Sequence, residues 1–142
     1  MFNLGYARWL RVLGGAALIL VIGFMIATFI VTAYASSLAM QARGAPDQNA
    51  INQFANATIP ALAPGLAFVS ALGGAWFVTR KLGRAAFTNA LLMGALAAVG
   101  NAFISILSGF TFGAVVEFVA FLLGSALAGW LAGRGNMEQS TV

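Results

Sequence analysis

The sequence predicts an all-α integral membrane protein, a bundle of four transmembrane helices. Of its 142 residues, 61% are hydrophobic and only 7% are charged, whereas a soluble domain carries about 25% charged residues. So few charged groups cannot cover a folded domain with polar surface, and most of its exterior must therefore contact lipid. The charged residues are also separated by long uncharged segments, each able to cross a bilayer. These observations exclude a water-soluble globule.

The lengths of the apolar segments place the four helices, since about 20 helical residues cross the hydrocarbon core. The last two spans share one long apolar segment, residues 85–133, in which the turn around Gly109 is the plausible break. The predicted spans cover about residues 12–34, 59–79, 86–107 and 112–132. The first apolar segment exceeds the about 7 to 15 residues of a signal-peptide core, so we expect it to be retained as a membrane anchor.

The basic residues predict the orientation of the bundle. Four crossings place both termini on one side, and six of the seven basic residues then share that side: Arg8, Arg11, Arg80, Lys81, Arg84 and Arg134. By the positive-inside rule, both termini are cytoplasmic, as are the basic loop 80–85 and the tail 133–142. Residues 36–58 then form an outward polar loop. The expected location is a bacterial cytoplasmic (inner) membrane.

The prolines of the outward loop and the second span predict where helices begin or bend. Residues 46–58 place apolar residues on one helical face, which predicts a short interfacial helix on the membrane surface. Pro46 and Asp47 suit the start of such a helix. Pro60 is expected in the first turn of the second span, whereas Pro64 predicts a bend or a widened outer entrance.

Two segments of the chain resemble each other. Ser70–Trp76 with Arg80 after it is similar to Ser125–Trp130 with Arg134 after it. This similarity favours two tandem helical hairpins. Alternatively, the two segments acquired their aromatic and basic anchors independently, as membrane helices commonly do.

Small residues at four-residue intervals predict that the third and fourth helices pack closely. In lipid, such stripes let two helix backbones approach each other and supply much of the association energy. The residues expected at this interface are Ala90, Gly94, Ala98, Gly124 and Ala128. A hairpin folded at Gly109 pairs Ala90 with Ala128, Gly94 with Gly124, and Asn101 with Glu117.

Glu117 is the only acidic residue within a predicted span, and such a residue costs about 2.5 to 3.5 kcal/mol at a helix centre. In a structural interpretation it is wholly or partly protonated and hydrogen-bonded to Asn101, with Ser105 or Thr28 as further partners, and determines the helix register. In a functional interpretation it exchanges a proton or cation through a cleft lined by Asn101, Ser105, Ser108, Thr32 and Ser36. The structural interpretation is favoured, because a lone acid without an ionisable partner makes a poor relay.

Several classes of chemistry lack the residues they require. The chain contains no cysteine and no histidine, so thiol catalysis and zinc, iron–sulfur or histidine-ligated haem sites are not expected. No cofactor, metal ion or catalytic residue is predicted. The basic residues lie at the ends of apolar segments, where they act as orientation signals, so no nucleic-acid partner is expected.

The expected function is that of a non-catalytic subunit, assembly factor or scaffold component of a membrane complex. Its expected partners are the lipid bilayer and either further copies of the chain or other membrane subunits. Gly14, Gly15, Gly23 and the pair Gly129 and Gly133 are surplus small residues that such a partner could use. The alternative is a small oligomeric channel or a proton- or cation-coupled transporter that uses Glu117.

Overall fold

Four long helices form the fold, in a computed structural model that describes residues 8–108 and 112–138. All four are long and apolar enough to cross a membrane, which confirms the predicted all-α four-helix bundle and indicates an integral membrane protein in contact with lipid. A 3₁₀ turn at Gly83–Ala85 precedes the third helix. The helices are α1 (Trp9–Ala42), α2 (Gln48–Thr79), α3 (Ala86–Ser108) and α4 (Phe112–Glu138). The predicted turn at Gly109 lies outside the described residues.

The first two helices extend further than the sequence predicts. Only residues 43–47 connect them, so the predicted loop at 36–58 is wrong, and its separate interfacial helix is instead the beginning of α2. Asp47 caps α2, because its side chain accepts a 2.9 Å hydrogen bond from the backbone N–H of Asn49. The rings of Tyr34 and Phe54 stack with centroids 3.9 Å apart and hold the two helix ends together. Hydropathy shows where a chain leaves lipid, not where its helix ends.

Both prolines of the second predicted span lie inside α2. Because α2 begins at Gln48, Pro60 is several turns from the helix start, and its predicted position in the first turn is wrong. Each proline removes one backbone donor from the helix. Pro60 lies beside the cavity described below.

We call the bundle end that holds Arg8, Thr79, Ala86 and Arg134 the proximal end, and the opposite end the distal end. The proximal half is tightly packed. The buried residues of α1 all lie between Val12 and Ile19, and those of α2 lie between Ala67 and Thr79. Gly15 faces the side chain of Met93 on α3, and Gly74 faces Ile19. The four helices therefore meet most closely in this half.

The α3–α4 interface departs from the predicted register at Gly94. Ala90, Ala98 and Ala128 are buried as expected for packing residues. Gly94 lies directly against Ser125, not against Gly124. Gly124 instead packs against the backbone of α2, where a Cβ atom would lie 2.5 Å from the carbonyl oxygen of Phe68. The predicted pairing of Gly94 with Gly124 is therefore wrong, because α4 packs against both α2 and α3 and its small residues are shared between them.

The surplus small residues are fewer than the sequence predicts. A Cβ atom at Gly129 would lie 2.9 Å from Cβ of Ala90, so Gly129 belongs to the α3–α4 interface. Gly15 is likewise used within the bundle. Gly14 and Gly133 have no such neighbour within 4 Å, so these two remain available to a partner.

Asn89 joins the start of α1 to α3, a role that sequence reasoning missed. This fully buried side chain donates a 2.8 Å hydrogen bond to the carbonyl oxygen of Ala85. Its Oδ1 accepts a 3.0 Å hydrogen bond from the backbone N–H of Arg8. Arg8 is the residue before the first turn of α1, so Asn89 holds the chain at its entry into the bundle.

Arginines stand over aromatic rings at the proximal ends of α2 and α4. Cζ of Arg80 lies 4.7 Å from the ring centroid of Phe77, and Cζ of Arg134 lies 3.8 Å from that of Trp130. Cation–π contacts of this kind anchor a helix end at a membrane surface. Both ends place a tryptophan four residues before the arginine, as the predicted repeat requires. The duplication itself stays a prediction.

Candidate functional site

A cavity of about 720 Å³ lies in the distal half of the bundle, between the α1–α2 hairpin and the α3–α4 hairpin. Its walls are mostly apolar side chains from all four helices, whereas its polar groups come from Ser70, Asn101, Ser105 and Glu117. We call this cavity the distal cleft. It brings together all three residues predicted as a polar site.

The distal cleft lies at and beyond the level where the buried part of α1 ends. Leu20 of α1 approaches Gly100 of α3, and Gly23 approaches Ser70 of α2. Beyond this level α1 contains no buried residue. At the rim of the cleft, Val21, Phe24 and Ile104 are exposed, so the cleft opens sideways on the outer surface of the bundle. For a helix bundle in a membrane, that surface contacts lipid.

Glu117 and Asn101 face each other across the α3–α4 interface. Nδ2 of Asn101 donates a 2.7 Å hydrogen bond to Oε2 of Glu117. Both side chains are half-buried and line the cleft. The structure therefore brings together the two residues that the hairpin register pairs.

The other predicted partners of Glu117 bond elsewhere. The hydroxyl of Ser105 donates to the carbonyl oxygen of Asn101 at 3.0 Å, and that of Thr28 donates to the carbonyl oxygen of Phe24 at 2.9 Å. Both bonds lie within one helix, which is the usual way to satisfy a hydroxyl in a membrane helix. The predicted bonds from Ser105 and Thr28 to Glu117 are therefore wrong.

The predicted lining of the cleft is only partly correct. Thr32 and Ser36 are not among the residues that line it. The side chain of Ser108 lies outside the described residues. Ser70 lines the cleft and is buried, with its hydroxyl donating to the carbonyl oxygen of Ala67 at 3.1 Å. Sequence reasoning noted Ser70 only for the repeat, although a serine among small residues of an apolar helix is a signal of such a position.

The charge of the cleft is set by one residue. Of the described side chains that line it, Glu117 is the only ionisable one. Between residues 8 and 138, the described part of the chain holds no group of three histidine, cysteine, aspartate or glutamate residues that could bind a metal ion. The lining side chains thus provide one acid, one amide and two hydroxyls within apolar walls. This arrangement can hold a cation or a hydrogen-bond donor.

Comparisons with protein-family models, curated proteins and solved structures found no match. The function is therefore argued from the described residues themselves.

Proposed function

We propose that this protein is a non-catalytic component of a membrane complex, a subunit, assembly factor or scaffold that binds other membrane helices. One observation supports this most: the α1–α2 hairpin contains no buried residue within residues 20–42 or 48–66. More than half of each helix is thus left without full packing by the rest of the chain. A second copy of the chain or another membrane subunit would supply the missing packing contacts.

The lengths of the helices support the same proposal. At 1.5 Å per residue, the 34 residues of α1 extend about 51 Å, well beyond the about 30 Å of the hydrocarbon core. The 23 residues of α3 extend only about 35 Å. Met40, on the part of α1 beyond the predicted span 12–34, is 76% exposed. Contact with a partner would remove this apolar surface from water.

The proposed orientation has both termini in the cytoplasm of a bacterial cell, with the protein in the inner membrane. Its support is the clustering of Arg8, Arg11, Arg80, Lys81 and Arg134 at the proximal end, where the arginine–aromatic contacts also lie. The distal end would then face outward, and a partner of the α1–α2 hairpin would bind at the outer side of the membrane.

Cross-linking in native membranes tests the proposed association. The chain has no cysteine, so Met40→Cys introduces a single thiol on the distal part of α1. Leu10→Cys is the matched control, because Leu10 is 89% exposed on the same helix at the proximal end. A thiol-reactive cross-linker should join Met40→Cys to a second copy or to another membrane protein. Leu10→Cys should give at most a minor product.

Mass spectrometry of the gently solubilised protein provides the second measurement. A discrete oligomer or a stoichiometric co-purifying subunit supports the proposal. A monomeric mass, together with equal or absent cross-linking at both positions, contradicts it.

A second candidate function is transport of a proton or cation, and the distal cleft with Glu117 favours it. In liposomes, Glu117→Gln should then abolish flux while the protein remains folded. Asp47→Asn is the matched control, because it neutralises an acid outside the cleft and asparagine also caps a helix. Equal flux for wild-type protein, Glu117→Gln and empty liposomes would contradict transport.

A further inference from the structure

We propose that the distal cleft binds a lipophilic organic cation that enters it from the bilayer. The cationic group would lie beside the carboxylate of Glu117, and the apolar body would pack against the walls formed by α1 and α2. Nothing in this binding requires flux or a protein partner, so the inference goes beyond the proposed function. It concerns the site that the second candidate function would use.

The size and walls of the cleft suit such a ligand. Its volume of about 720 Å³ lies within the about 300 to 1,000 Å³ of typical small-molecule sites. Leu20, Phe24, Pro60, Leu66 and Phe121 contribute apolar wall surface, and an apolar wall with a few polar groups is the usual composition of a small-molecule site.

The charge of the cleft selects a cation over an anion. Asn101 donates to Oε2 of Glu117, and no described residue donates a hydrogen bond to Oε1. The bonded oxygen keeps the carboxylate in position, and within residues 8–83, 85–107 and 112–134 no side chain donates to the second oxygen. An anion in the same position would meet a like charge without a basic residue among the described lining side chains.

The oxygen ligands in the cleft are too few for an inorganic cation. Ions such as Ca²⁺ require six to eight oxygen atoms, and Mg²⁺ requires six. The described polar side chains of the cleft offer at most five oxygen atoms, two from Glu117 and one each from Asn101, Ser70 and Ser105. An organic cation needs no complete coordination shell, because apolar contacts compensate for its weak hydration.

The opening of the cleft matches a ligand that is dissolved in lipid. Val21, Phe24 and Ile104 form an apolar rim on the outside of the bundle. A lipophilic cation concentrates in the membrane and would reach this rim from the side, whereas a hydrophilic ion would have to cross the rim from water.

Binding of tetraphenylphosphonium to the full chain in nanodiscs of zwitterionic lipid tests the inference. Tetraphenylborate is the matched control ligand, because it has nearly the same shape and the opposite charge. We expect saturable binding of tetraphenylphosphonium, measured by equilibrium dialysis against protein-free nanodiscs. No saturable binding, or equal binding of the borate, would overturn the inference.

Two variants separate charge from cavity volume. Glu117→Gln should weaken tetraphenylphosphonium binding at least tenfold, whereas Asp47→Asn should leave it unchanged. Ala63→Phe fills the cleft and should also weaken binding at least tenfold. Leu62→Phe is its control, because Leu62 is exposed one residue away on α2. Unchanged affinity in Glu117→Gln, or equal effects of Ala63→Phe and Leu62→Phe, would show that the ligand binds elsewhere.

Circular dichroism and size-exclusion chromatography establish that each variant is folded. If Glu117→Gln does not fold, the pair Ala63→Phe and Leu62→Phe decides the question with Glu117 in place. Saturable binding without cross-linking at Met40→Cys would support this inference and contradict the proposed association. Cross-linking at Met40→Cys without saturable binding would support the association and overturn this inference.

Discussion

The amide of Asn101 donates a 2.7 Å hydrogen bond to the carboxylate of Glu117, and this bond joins α3 to α4 in the distal half of the bundle. The bond holds the only acid of a membrane-spanning segment toward the bundle and not toward lipid. It lies beside the distal cleft, so it bears both on stability and on any ligand that the cleft accepts.

A double-mutant cycle should measure the strength of this bond. Hydrogen bonds between membrane helices contribute about 0.6 kcal/mol on average and at most about 1.7 kcal/mol. We therefore expect Asn101→Ala and Glu117→Ala to show a coupling free energy in that range, measured by reversible unfolding in mixed micelles. Ser105→Ala paired with Glu117→Ala is the control cycle. Its coupling should be near zero, because Ser105 bonds the backbone of its own helix; equal coupling in both cycles would refute the assignment.

Gly94→Ala should destabilise the bundle. An added Cβ atom would meet the side chain of Ser125 and would lie 3.0 Å from the carbonyl oxygen of Phe121, so α3 and α4 would have to move apart. Overpacking of this kind costs about 1 to 3 kcal/mol. The free energy of unfolding in micelles measures the change.

Gly73→Ala is the matched control for Gly94→Ala. A Cβ atom at Gly73 has no neighbour within 4 Å, and alanine is the better helix former by about 1 kcal/mol in water. The variant should be neutral or slightly more stable than the wild-type protein. Equal destabilisation by the two variants would show that the α3–α4 contact at Gly94 is not tight.

Asn89→Ala should loosen the start of α1. It removes the acceptor of the Arg8 N–H and the donor to Ala85, and an orphaned buried polar group costs about 1 to 3 kcal/mol. Hydrogen exchange at the Arg8 amide should become faster, and the free energy of unfolding should fall. Asn52→Ala changes an exposed asparagine of α2 and should alter neither measurement. Unchanged exchange at Arg8 in Asn89→Ala would contradict the role of Asn89.

Single cysteines should reveal the orientation. Gly44 and Lys81 are both exposed, at the distal and proximal ends respectively. With both termini in the cytoplasm, a membrane-impermeant maleimide should label Gly44→Cys in intact spheroplasts, and should label Lys81→Cys only after permeabilisation. The opposite pattern would reverse the orientation.

Sequence reasoning correctly predicted the features that depend on a single segment or on a single pair of helices. The uncharged segments predict four membrane helices, because each must bury its backbone polar groups in hydrogen bonds within itself. The stripe of small residues that includes Gly94 predicts the α3–α4 contact, and the hairpin register predicts that Asn101 meets Glu117. These patterns are local or involve only one pair of helices.

Sequence reasoning failed where several helices compete for the same residues. Gly124 belongs to a regular stripe on α4, but that stripe faces α2 as well as α3, and no spacing within α4 distinguishes the two neighbours. The role of Asn89 could not be predicted from spacing within α3, because its Oδ1 accepts a hydrogen bond from the backbone N–H of Arg8, a residue distant in sequence. Hydropathy also failed to predict the full length of α1, because it identifies only the apolar part of a helix.

The composition and the order of residues along the chain settle that this protein enters a membrane as four helices, since the cost of unpaired backbone groups and of charges in lipid depends on each segment separately. The width of the gap between the two hairpins is different. This width depends on the contacts among all four helices. Only the tertiary structure therefore reveals the distal cleft and places Glu117 at its wall.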